Sequence, residues 1–384
     1  MGIDGPWLDS GATAGCRPSA TDRGEIPMIK RRYILIVLSC AAGLTAGALI
    51  LLPRRSAPAQ YRVTFLPSLG GFRTSPHCIN DRGQVIGIAE TATGPSYIFL
   101  WDKEQGFRNL GRSDDPPHPG RLSINNAGLI AGTIADPNGN LRAFLWDLSS
   151  GKQLLGTLGG LRSMATGLND KGQIVGYAEN PVRYRRAFLW DAAGGMRDLG
   201  TLGGPQSFAL AVNNAGQVIG YAETPDRGYH AVLWDPADGP IDLGDAGTGP
   251  FECDINNHGF VVRRFGTVTG KTYFRTWTRA TGGRELDFIA ADTGVPCGLN
   301  DAGQFLVQAK PVGMKMFGRL LHRRFECYLW DPNAKPLHLQ EHVPVRDIQH
   351  LAVVDMNNEG WIVGVIRTGD TGRIDAVLLE PPGD

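Results

Sequence analysis

Residues 163–204 read SMATGLNDKGQIVGYAENPVRYRRAFLWDAAGGMRDLGTLGG, and this stretch decides the fold. SMATGLN (163–169) has the composition of a strand. Asn169-Asp170-Lys171-Gly172 is a hairpin turn, expected because Asn and Gly tolerate the positive φ of such turns. QIVGYAE (173–179) is a second strand. Pro181 marks a loop, and RAFLWD (186–191) is a third strand, apolar on both faces as in a sheet packed between two neighbours. Gly194-Gly195 turns into a fourth strand, MRDLGT (196–201), and Gly203-Gly204 leads out.

The same unit recurs along the chain. An apolar residue followed by Asn, then Asp or Asn, any residue and Gly appears at Asn80, Asn125, Asn169, Asn213, Asn256, Asn300 and Asn357. A second landmark close to AFLWD follows, with Trp101, Trp146, Trp190, Trp234, Trp277 and Trp330; the seventh copy reads AVLLE (376–380). The Asn-to-Trp offset is 21 residues in five units and 30 in the sixth. A period near 44 residues, rich in Val, Ile, Phe, Tyr, Thr and Gly and without helical spacing, predicts an all-β, seven-bladed propeller of four-stranded blades over 61–381. YRVTFLPSLGG (61–71) aligns with MRDLGTLGG, so the chain is expected to start with a fourth strand that completes the last blade and closes the ring.

Upstream, residues 33–52 hold no charge (YILIVLSCAAGLTAGALILL), about 30 Å as a helix. Lys30, Arg31 and Arg32 precede this run. A transmembrane or signal-anchor helix over 31–54 is expected, with the propeller outside the cytoplasm. A signal peptide cleaved after Ala57-Pro58-Ala59 is the alternative, giving a secreted protein. Residues 1–30 lack periodicity and read as disordered, and Met28 is a second plausible start.

Composition excludes some classes. Lys+Arg and Asp+Glu are both 38, and beyond residue 60 the acids lead by 34 to 31, a poor match to nucleic acid. There is no P-loop, dinucleotide fingerprint or G-x-S-x-G, so neither a cofactor nor a named catalytic residue is expected. His338-Leu339-Gln340-Glu341-His342 matches the inverted zinc-protease motif. It aligns with a fourth strand, however, where residues four apart lie about 13 Å from each other and cannot share a metal. Cys297 and Cys327, both in unit six, are a conceivable disulfide in an oxidising compartment.

The units resemble the HAF-repeat family of extracellular repeat proteins over about residues 61–380, most closely at Tyr229-His230-Ala231-Val232-Leu233-Trp234-Asp235 and at Arg186-Ala187-Phe188-Leu189-Trp190-Asp191. The full His-Ala-Phe is missing. The resemblance implies an extracytoplasmic propeller and assigns no activity.

The irregular unit carries the sequence's binding candidate. Unit six has nine extra residues between its second and third strands, with Lys310, Lys315, Phe317, Arg319, Arg323 and Arg324 among apolar side chains. Such a loop suits a membrane surface or an acidic partner. The sequence therefore predicts a monomeric binding or scaffolding module for a protein, glycan or membrane-surface ligand, with the Gly-Gly-x-x-Ser loops on the same rim. A hydrolase or lyase acting at the central channel is the alternative.

Overall fold

Seven antiparallel sheets of four strands repeat one connectivity in the computed structural model, which describes residues 59–112, 121–247, 252–267, 272–286, 291–311, 326–369 and 372–383. In blade three the inner strand is Ser163–Leu168, followed outward by Ile174–Glu179, Arg185–Asp191 and Gly195–Asp198. Blade seven takes Ile348–Met356, Ile362–Thr368 and Asp375–Glu380 from the chain's end and Arg62–Phe65 from its start, Arg62 lying opposite Glu380 and Phe65 opposite Val377. All blades belong to one compact unit, Ala57–Asp384.

The Asn-x-x-Gly turns form as expected at Gly but not at Asn. In all seven, Gly (83, 128, 172, 216, 259, 303 and 360) has φ between 73° and 83° and donates its N–H to the Asn carbonyl. The Asn itself does not take positive φ; among the described residues only Arg183, Arg227 and Asp347 do so besides glycines. Its Oδ1 instead accepts the N–H groups two and four residues on, as Asn169 does from Lys171 and Gln173.

Blades are cemented by apolar side chains. Trp101, Trp190 and Trp234 are buried. Trp190 packs with Ala131 and Ala143 of blade two as well as with Ile174 and Phe188 of its own blade. In blade seven Leu379 takes the Trp place, opposite Ile362 as Trp190 is opposite Ile174.

In four blades a glycine in the second strand admits a bulge of the inner one; blade six, with Val307 there, bulges at Gly298 instead. A Cβ on Gly87, Gly176, Gly220 or Gly364 would lie only 1.9–2.4 Å from a carbonyl oxygen of the inner strand. That strand bulges just past the clash, leaving His77, Thr166, Leu210 and Val354 as the extra residues, the first three of them lining the channel. Blade five has Arg263 at this position and no bulge.

Two expectations are corrected. Leu339–His342 is a single helical turn rather than strand, because Pro336 and Pro344 bracket too short a run for a full outer strand. His338 Nδ1 meets Glu341 and His342 Nδ1 meets the Ala59 carbonyl, and no group of three ligand side chains exists among the described residues. Cys297 and Cys327 are free. They sit on the inner and third strands of blade six, two strand spacings or about 10 Å apart, beyond disulfide reach. Their thiols face Val353 and Leu351 carbonyls of blade seven instead.

The expected segments at 1–30 and 31–54 lie outside the described residues, as do Lys315, Phe317, Arg319, Arg323 and Arg324. Lys310 is on the second strand of blade six, opposite Thr293. No helix among the described residues is long and apolar enough to cross a membrane.

Candidate functional site

The seven inner strands line a central channel with a cavity of about 460 Å³. One mouth is built by the Asn turns. The Asn Nδ2 of one turn donates to the Asn carbonyl of the next: 80 to 125, 125 to 169, 169 to 213, 213 to 256, 256 to 300 and 357 to 80, at 2.8–3.1 Å. Asn alone meets this requirement, since its oxygen caps its own turn while its amide reaches the neighbour; Asp has no donor.

A second circle runs beside the first. The backbone N–H of the residue after each Asn donates to the side chain of its counterpart in the next blade: Asp81, Asn126, Asp170, Asn214, Asn257, Asp301, Asn358 and back to Asp81, all at 2.7–2.9 Å. No two Asp are neighbours in this circle. Each of the three Asp has Asn on both sides, and Asp81 Oδ2 accepts from both Asn126 and Asn358 while Asp170 Oδ2 accepts from Asn126 and Asn214. A carboxylate only accepts, so two adjacent Asp would face each other without a proton between them.

Inside the channel the lining is less regular. Two residues before each Asn stand Cys78, Ser123, Gly167, Ala211, Asp254, Gly298 and Asp355. Five are small; blades five and seven place carboxylates there. Both are half-open to the channel but walled by protein elsewhere. Burial pushes Asp254 up to about 7, with Asp355 adding to the shift and Arg121 opposing it. Asp355 is raised too, chiefly by burial, against Arg121 and the Ile79 N–H that its Oδ2 accepts at 3.1 Å. Glu252 is raised by burial and lies 3.9 Å from Arg264.

Arg121 enters from blade two and reaches past blade one to donate to the Val354 carbonyl of blade seven at 2.6 Å. His77 accepts the Leu122 N–H on Nδ1, and burial with Arg121 and Arg73 lowers it to about 4, so it is neutral at pH 7. Cys78, Cys253 and Cys297 also line the channel; burial raises all three thiols, which keeps them protonated and unreactive. Met164, Tyr177 and Leu210 supply an apolar wall on the side of blades three and four.

The opposite face carries the loops between blades and between second and third strands. The Gly-Gly-x-x-Ser loops are there, and Phe72, Leu161 and Val182 are exposed. The ends of the unit-six insertion leave from the same face. The sequence singled out this rim and missed Arg121, His77, Asp254 and Asp355. The signal was in the column two before the Asn, where Asp replaces an otherwise small residue twice.

No family model matches the chain, and no curated protein matches it. Similarity appears among solved structures. A puromycin hydrolase S511A mutant complexed with PGG aligns with a TM-score of 0.51 and 16% identity over 78% of this chain and 51% of the hydrolase. A Mycobacterium tuberculosis puromycin-hydrolyzing peptidase gives 0.50 and 14% over 83% and 52%. A chain of the mitotic checkpoint complex gives 0.49 and 13% over 90% and 100%. The chain thus spans about half the length of the hydrolases. At these identities the likeness is one of fold: an all-β propeller with seven four-stranded blades.

Proposed function

We propose that this protein is an extracytoplasmic binding module, tethered to a membrane by residues 33–52, that takes a small polar ligand into its central channel. The observation that carries this reading is the pair Asp254 and Asp355, placed by separate blades in a cavity of about 460 Å³. Burial costs both carboxylates free energy in the folded state, which the Ile255, Met356 and Ile79 N–H bonds offset only in part, since both remain raised. Ring closure by Arg62–Phe65 makes the scaffold rigid enough to hold such a site, and the unit-six insertion with Lys310, Lys315, Phe317, Arg319, Arg323 and Arg324 offers a second contact to an acidic partner or membrane surface.

One observation favours the alternative of a hydrolase or lyase. A carboxyl near 7 beside a second carboxylate is the pairing that general acid–base chemistry uses. The test is a panel of amino acids, sugars, amines and small acids screened by melting-temperature shift on the full chain in detergent, followed by assay of any hit for turnover. Stabilisation without turnover supports a binding module; turnover abolished by Asp254→Asn supports the enzyme. A panel that shifts the native protein and the Asp254→Asn, Asp355→Asn double variant alike contradicts both.

A further inference from the structure

The channel holds opposite charges that do not meet. Arg121 and the two carboxylates act electrostatically on one another across the cavity, yet Arg121 forms no ion pair with Asp254 or Asp355 among the described residues. Arg121 gives an Nη2 hydrogen to the Val354 carbonyl, and the rest of its donor fork meets no acceptor among the described residues. Asp254 satisfies Oδ1 with the Ile255 N–H, and Asp355 uses Oδ1 on Met356 N–H and Oδ2 on Ile79 N–H, which leaves acceptor capacity on both. The belt carboxylates Asp81 and Asp170, by contrast, have Asn donors on both sides, and Glu252 has Arg264.

We propose that the channel binds a zwitterion of the α-amino-acid class, its carboxylate on the Arg121 fork and its ammonium between Asp254 and Asp355. The inference rests on the channel being the ligand site and names the chemistry of what enters it. A simple anion would meet two carboxylates, and a simple cation would meet the guanidinium; only a ligand carrying both charges satisfies both ends. A guanidinium and a carboxylate pair in bidentate geometry, which sets the orientation. The cavity is within the usual size of small-molecule sites, at the low end of a range of about 300–1,000 Å³. Met164, Tyr177 and Leu210 line the side away from Asp355, which suits an apolar side chain.

The test uses native full-length protein and three probes of one shape: leucine, isoamylamine, which lacks the carboxylate, and isocaproate, which lacks the ammonium. Calorimetric titration at neutral pH is expected to show leucine binding and each half-molecule weaker by about tenfold or more, the loss of one charge-assisted interaction. Arg121→Gln should erase the preference for leucine over isoamylamine while leaving amine binding in place. Isoamylamine binding as tightly as leucine overturns the inference and leaves the channel as a cation site. A panel compound that needs Asp254 while leucine does not bind at millimolar concentration also overturns it, with the channel reading intact. Leucine binding unchanged in both Arg121→Gln and the Asp254→Asn, Asp355→Asn double variant places leucine elsewhere and overturns the inference.

Discussion

At the residue scale the repeated Asn shows how one side chain can define a fold. Asn213 is 3% exposed, donates to the Asn256 carbonyl at 3.0 Å and to Gln217 Oε1 at 2.7 Å, and accepts from two N–H groups of its own turn. Asn213→Asp keeps size and acceptors but faces a buried carboxylate with two oxygens. A loss of about 3 kcal/mol in urea unfolding is expected; a loss under about 0.5 kcal/mol would show that the ladder is incidental. The sequence displayed the Asn column plainly, yet only the turn role was legible, because donation to a residue 43 or 44 positions away leaves no local pattern. Asp254 belongs to the same scale. Its carboxyl is raised from 3.8 to about 7, so in that window the folded state keeps a proton that the unfolded chain has released. The stability it contributes is full below about pH 4 and is lost as pH rises through about 7. His77, lowered from 6.5 to about 4, has the opposite sign and loses stability as pH falls through that window. Asp254→Asn should therefore raise the thermal midpoint at pH 8 relative to native protein, with the difference vanishing near pH 4. An unchanged difference across that range would show that Asp254 is solvated and ordinary.

At the element scale the inner strand is the part that the sequence described least well. Strand order, turns and the buried third strand follow from alternating patterns and the Trp landmark. The bulge does not, because its cause lies on another strand: Gly176 admits the Met164 carbonyl that a Cβ would meet at 1.9 Å. Gly176→Ala is expected to cost about 3 kcal/mol as the two strands are forced apart. Gly283→Ala, on an outer strand with nothing within 4 Å of the added carbon, should change stability by less than about 0.5 kcal/mol. Equal effects at both sites would contradict this account of the bulge. The one-turn helix at Leu339–His342 was illegible for a related reason, since the repeat alignment imposed a full strand where two prolines leave length only for Leu337–His338.

At the scale of the whole molecule, seven near-identical units make a ring whose symmetry is broken on purpose at few places. The belt at the Asn mouth is nearly uniform, whereas Asp254, Asp355 and Arg121 mark blades five, seven and two. Fold was legible because repetition multiplies a weak signal by seven; the site was not, because it consists of departures from that repetition. The tether belongs to this scale as well. The uncharged run at 33–52 and the Lys-Arg-Arg before it lead to the expectation that the protein sediments with membranes and that protease reaches the propeller only from the extracytoplasmic side. Recovery of soluble protein beginning at Gln60 would show cleavage instead. The central claim is that the channel is the ligand site, and its most direct test is calorimetric titration of the strongest ligand from the panel into native protein and into the folded Asp254→Asn, Asp355→Asn variant. The account predicts one site per chain in the native protein and affinity reduced by about a hundredfold in the variant, from two charge-assisted contacts; equal affinity in the two proteins would contradict it.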